Sequence, residues 1–174
     1  MKVINLYGGP GSGKSTTAAG LFYKMKLKHM KVELVTEYAK DLVYSNRLDD
    51  MLDQQEYIFA KQNAKLHRLR DHVDYVITDS PLLLSVVYAQ AGWQCYKPFC
   101  DLVRCTYSTY DNINAYLKRP EEFQQYGRAH DKDQSIELDN SIHDMLVREN
   151  QTILHFPVDE NVVDSILLGV NDGT

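Results

Sequence analysis

The sequence is short of cysteine, and the cysteines it has are in no metal-binding spacing. Cys95, Cys100 and Cys105 are its three, each five residues from the next. That arrangement lacks the C-x-x-C pairing of a zinc site, and an odd count does not build a disulfide framework. They read as reduced thiols with structural roles. The six histidines, His29, His67, His72, His130, His143 and His155, are scattered with no H-x-x-x-H pair, so an imidazole metal site is not indicated. No apolar run reaches the roughly 20 residues of a membrane span, and the first residues lead into a strand pattern without the layout of a signal peptide. The expectation is a cytoplasmic protein with no membrane partner. Positive charge is also not in excess: 19 Lys and Arg against 24 Asp and Glu leave a net charge of −5. Nonspecific coating of nucleic acid needs clustered cations, so that class is disfavoured, although a local basic groove stays compatible. With no internal repeat, linker or low-complexity tract, residues 1–174 read as one domain, long enough to bury a core without staples.

What the chain does have is Gly8-Gly9-Pro10-Gly11-Ser12-Gly13-Lys14-Ser15, followed by Thr16. This fits G-x-x-x-x-G-K-[ST], a phosphate loop, provided a strand precedes it and a helix follows. Residues 2–7 supply the β-branched and aliphatic strand, and Ala18, Leu21, Phe22 and Met25 recur at helical spacing behind the loop. A chance match to the four fixed positions in a chain this size has a probability on the order of one per cent. Glycines let successive N–H groups turn inward around a phosphate, and the helix N-terminus adds orphan donors and a positive dipole end. Lys14 is then placed to reach the β- and γ-phosphates of ATP, and the Ser15 hydroxyl to ligate Mg²⁺.

Further along, residues 31–36 read as a second strand ending at Glu37, and residues 38–44 as a short helix. A carboxylate at the C-terminal end of a parallel strand faces the ligand crevice, where Glu37 can accept a proton from an acceptor hydroxyl; a helix N-terminal charge is the alternative. Residues 49–71 carry no Pro or Gly and predict a long helix, on which Gln54, Gln55 and Gln62 can pair with a base edge or an amide, although the surface is the expected place for any one of them. Residues 74–78 form a third strand closed by Asp79, in the position of a Walker-B-type Mg²⁺ carboxylate, or else the N-cap of a helix over 82–91. The stretch 92–110 carries Trp93, Tyr96, Tyr107 and Tyr110, for which core packing and base stacking both stay open, and Pro98 opens a helix over 99–107. A fourth strand is expected at 112–117, then a polar stretch over 121–134; a mobile loop carrying Arg119 and Arg128 can close over phosphates, a plain solvated loop being the alternative. A helix over 136–150, a fifth strand at 152–156, a helix over 162–168 and a frayed tail at 171–174 complete the chain. Five strands alternating with helices specify an α/β fold, a parallel sheet covered on both faces.

In this order the motifs resemble the small P-loop kinases of the nucleoside and nucleotide kinase group. Within it, the chain is similar to the nicotinamide riboside kinase module of NadR-type proteins and to phage-encoded kinases that phosphorylate 5-hydroxymethyluracil in DNA. The resemblance rests on Gly8 to Thr16, Glu37-Tyr38-Ala39-Lys40, Gln55 with Gln62, Asp79-Ser80-Pro81, Leu117-Lys118-Arg119 and Tyr126-Gly127-Arg128. It implies a P-loop NTPase fold with sheet order 2-3-1-4-5 and an Arg-bearing lid after the fourth strand, over about 119–134. It also implies ATP bound by Lys14 and the loop amides, Mg²⁺ served by Ser15 and Asp79, lid arginines Arg119 and Arg128, and Glu37 or Asp79 acting on the acceptor hydroxyl. Lys40 stands where the NadR-type module tends to have Arg, which weakens a bidentate phosphate clamp there. The phage resemblance favours 5-hydroxymethyluracil in DNA as acceptor, in a host cytoplasm. The acidic charge favours a small nucleoside or nucleotide, and an ATPase without acceptor is the other class. Monomer or homodimer stays open.

Overall fold

A computed structural model describes residues 1–40, 54–89, 91–119 and 132–172. Its strands are β1 (Lys2–Tyr7), β2 (Val32–Val35), β3 (Tyr75–Thr78), β4 (Asp111–Lys118) and β5 (Ile153–Pro157), and its helices are α1 (Lys14–Leu27), α2 (Gln55–His67), α3 (Leu84–Tyr88), α4 (Tyr96–Tyr107), α5 (Lys132–Arg148) and α6 (Val162–Asp172). The strands form one sheet of order β2-β3-β1-β4-β5. All pairs are parallel, with Lys2 opposite both Tyr75 and Asp111, and Asn114 opposite Ile153. This is the P-loop kinase architecture, with the sheet order expected.

Because helices cover both faces, β1 needs apolar side chains on both, and its alternation divides them. Val3 and Tyr7 pack with Val76 and Tyr116 under Phe59 of α2, Leu83 just before α3, Phe99 and Val103 of α4 and Met145 of α5. Ile4 and Leu6 pack with Ile77, Ala115 and Leu117 under Leu21 and Met25 of α1 and Ile166 of α6. A two-faced burial of this kind reads as a continuous apolar run in sequence, as β1 does. Asn5, on the first face, is buried but satisfied, its amide donating to Asn112 Oδ1 at 2.9 Å and Asn114 Oδ1 at 3.2 Å.

Several boundaries differ from expectation for local reasons. α4 starts at Tyr96, so Pro98 lies inside its first turn, where the missing N–H costs no intrahelical bond. The aromatic stretch is core: Tyr107 and Tyr110 are buried and Trp93 packs on Phe99 with ring centroids 5.5 Å apart. The helix expected over 82–91 spans only Leu84–Tyr88, and the last helix runs on to Asp172 where a frayed tail was expected from residue 171. α5 begins at Lys132, so helix replaces polar loop before residue 134. Arg128, with Tyr126 and Gly127, lies outside the described residues, as does most of the expected lid. Among the described residues no helix is long and apolar enough to cross a membrane.

Candidate functional site

A parallel sheet sends all its strand C-termini to one edge, and the candidate residues follow them: the loop after β1, Glu37 after β2, Asp79 after β3 and Arg119 after β4. The loop enters α1 through Gly13, whose φ of +85° is the left-handed conformation that glycine takes without strain. A Cβ there would also meet Val158 Cγ1 at 3.0 Å, so the residue after β5 packs on the loop's last turn. No side chain caps α1, and its first turn holds no acidic residue. Its end is thus a set of donors and a positive dipole suited to an anion.

The Lys14 ammonium folds back over the loop, donating to Gly8 O at 2.7 Å and Gly9 O at 2.9 Å. Burial holds its pKa below the ordinary lysine value. Glu37, Asp79 and Asp139 push it back up, and Arg119 adds a smaller downward effect. A cation desolvated among three carboxylates is poised to gain from a polyanion.

Asp79 is 5% exposed, and both its oxygens are used. Ser15 Oγ donates to Oδ2 at 2.7 Å, and the Glu37 backbone N–H donates to Oδ1 at 3.0 Å. The alternative role as helix N-cap is not taken: α3 has Leu83 at that position and no side-chain cap. A hydroxyl and a carboxylate in contact at the mouth of a phosphate loop are hard oxygen donors that fit Mg²⁺, which takes one or two protein ligands and fills its octahedron with phosphate and water. Among the described residues no group of three or more His, Cys, Asp or Glu forms a dedicated metal cage.

Behind Glu37 the backbone is helical at 38–40. Gln62 splints this start to the sheet, accepting from the Tyr38 N–H at 3.1 Å and donating to Thr78 Oγ1 at 3.3 Å. Gln62 and Gln55 are therefore buried, contrary to their expected surface positions, while Gln54 is exposed. Apolar periodicity carries no signal for a buried amide whose partners are a backbone group and a strand hydroxyl.

Arg119 sits beside the loop rather than apart from it. Its Nε donates to Asp139 Oδ2 at 2.8 Å and its Nη2 to Ser135 O at 3.2 Å. Asp139 Oδ1 accepts the Gly9 N–H, and the Tyr116 hydroxyl donates to Asp139 O at 3.0 Å. Sequence reading missed Asp139, an acid among other helical acids. Desolvation, then the charges of Glu37 and Asp139, push the phenol of the part-exposed Tyr88 up to about 12. Cys95 and Cys105 are exposed and Cys100 buried, all as free thiols.

The fold is similar to that of deoxyadenosine kinase from M. mycoides with bound dATP (15% identity, TM-score 0.64, covering 98% of this chain and 100% of that one). It is similar to NadR protein in complex with NR (16%, 0.73, 95% of this chain and 50% of that one) and to thymidylate kinase from Ehrlichia chaffeensis (13%, 0.63, 98% of each). A comparison with the curated proteins finds no match. A family model described as an AAA domain matches residues 3–161, and the chain belongs to that family.

Proposed function

We propose that the chain is an ATP- and Mg²⁺-dependent kinase that transfers the γ-phosphoryl group to a hydroxyl of a small nucleoside or nucleotide. The observation that carries this is the Ser15–Asp79–Glu37 arrangement at the uncapped start of α1. It supports a metal-bearing donor phosphate on one side of Asp79, with the Glu37 backbone held on the other. Bound Mg²⁺ would supply charge neutralisation at the phosphate oxygens, held by Ser15 and Asp79. Lys14 and the amides of Gly11, Ser12, Gly13, Lys14, Ser15 and Thr16 would bind the phosphates. With both Asp79 oxygens committed, Glu37 is the residue to orient the acceptor hydroxyl and take its proton. Arg119, and Arg128 from the segment outside the described residues, would face charge developing on the transferred group, and closure over the site would exclude water.

The net charge of −5 supports a small acceptor over DNA, and the kinases of similar fold are named for deoxyadenosine and thymidylate. The test is transfer of label from γ-labelled ATP with Mg²⁺ to deoxynucleosides, deoxynucleoside monophosphates, nicotinamide riboside and 5-hydroxymethyluracil-containing DNA in parallel. Label in a small acceptor supports the proposal, and label in the modified DNA alone replaces its acceptor. The family's description as an AAA domain favours one second reading, an ATPase without acceptor. Free phosphate with every acceptor unlabelled would select it.

A further inference from the structure

The first turns of α5 lie against the phosphate loop at one point, Gly9. A Cβ there would stand 2.7 Å from Ser135 O, 2.8 Å from Asp139 Oδ1 and 3.1 Å from Arg119 Nη2. The loop at this residue is therefore in van der Waals contact with a helix more than a hundred residues away, and only glycine leaves room for it. Three bonds hold the two peptide units that flank Gly9. Lys14 takes the Gly8 and Gly9 carbonyls, and Asp139 takes the Gly9 amide.

The other Asp139 oxygen holds Arg119 Nε, while Ser135 O, one turn earlier, holds Nη2. Two nitrogens of a planar guanidinium bound to two points on one helix fix its plane as well as its place. The pair is largely shielded from water, with side chains 10% and 14% exposed, so the contact is little screened by solvent. α5 is in turn seated on the sheet by the Tyr116 hydroxyl at Asp139 O.

We propose that Asp139 is a positioning residue of the phosphate site, one oxygen fixing the Gly9 amide of the loop and the other fixing the plane of Arg119 beside it. The inference rests on the reading of this loop as a nucleotide site. It makes Arg119 a phosphate-facing group whose aim is set by α5, and it ties the seating of α5 to the shape of the loop.

The experiment uses the full chain and a fluorescent ATP analogue as probe, with thermal melting of each variant alongside. Asp139→Asn keeps an oxygen for the Gly9 amide but turns a donor toward Arg119 Nε, so the guanidinium is released. Affinity for the analogue should fall by about 10-fold to 100-fold, the scale of one hydrogen bond to a charged group, and the melting temperature should fall as well, because a shielded guanidinium is left without its carboxylate. In an Arg119→Gln background the same substitution should change affinity by less than about twofold, because residues acting through one contact are not additive. Arg119→Lys keeps the charge but loses the fork that Asp139 holds, and should match the loss in Asp139→Asn even if that variant melts early. Wild-type affinity in either single variant, or effects that multiply in the double variant, would overturn the role of Asp139 while leaving the nucleotide reading intact. No binding of the analogue to the wild-type chain would overturn both.

Discussion

Asp79→Asn separates a metal carboxylate from a structural one. The carboxylate accepts two bonds, from Ser15 Oγ at 2.7 Å and the Glu37 N–H at 3.0 Å, and asparagine is its isostere. The amide oxygen will face the Glu37 N–H, since the opposite flip sets two donors together. The NH₂ then faces Ser15 Oγ, which can rotate to accept. A hydrogen bond to a charged group contributes about 1.5–3 kcal/mol and a neutral one about 0.5–1.5 kcal/mol, so exchanging both costs about 2 kcal/mol. In a chain of this size that is a fall in melting temperature of about 4–8 °C. The chemistry should respond far more. Loss of one preorganised electrostatic group at the reacting phosphate costs about 10²–10³ in turnover. A lost metal ligand should also raise the Mg²⁺ concentration for half-maximal rate by about 10-fold or more. The assay is label transfer from γ-labelled ATP across a Mg²⁺ titration, beside a melting curve. Turnover within about threefold of wild type at an unchanged Mg²⁺ midpoint would refute the assignment of Asp79 to the metal.

Lys14→Ala should lower transfer by at least about 10²-fold, as expected for a charge needed mainly in the transition state, and rates near wild type would remove Lys14 from the mechanism. Gly13→Ala places a Cβ at φ +85° and 3.0 Å from Val158 Cγ1. The backbone strain alone costs about 1–2 kcal/mol, and denaturant melts showing no loss would contradict the loop geometry. Stability should also fall on mild acidification through His155. Partial desolvation first, then His143 and Lys118, depress the folded pKa of this exposed imidazole below the ordinary 6.5, an effect that solvent screening keeps small, and its ring packs against Tyr116. The unfolded chain therefore takes up the proton first: the effect is absent above about pH 6.5 and grows as pH falls toward the folded pKa. Melting temperatures between pH 7.5 and 5.5 should decline in the wild type and flatten in His155→Gln, and equal slopes would exclude His155 as the cause.

The strands, the loop and their chain order are legible before any folding, because each is written in short-range signals. The run from Lys2 to Tyr7 is apolar on both faces, the glycines precede a helix that needs no cap, and Asp79 closes a buried strand. Parallel pairing then had to bring Glu37, Asp79 and Arg119 to one edge with the loop, as the register shows. The tertiary structure alone decided how those groups are held. Asp139 meets Gly9 across 130 positions, and Gln62 joins Tyr38 to Thr78. Nothing local marks these residues, since an acid or an amide on a helix has the same neighbours in sequence whether it ends in water or on a loop amide. Which of the two it is depends on how α2, α3 and α5 pack over the sheet, and that is a property of the assembled core.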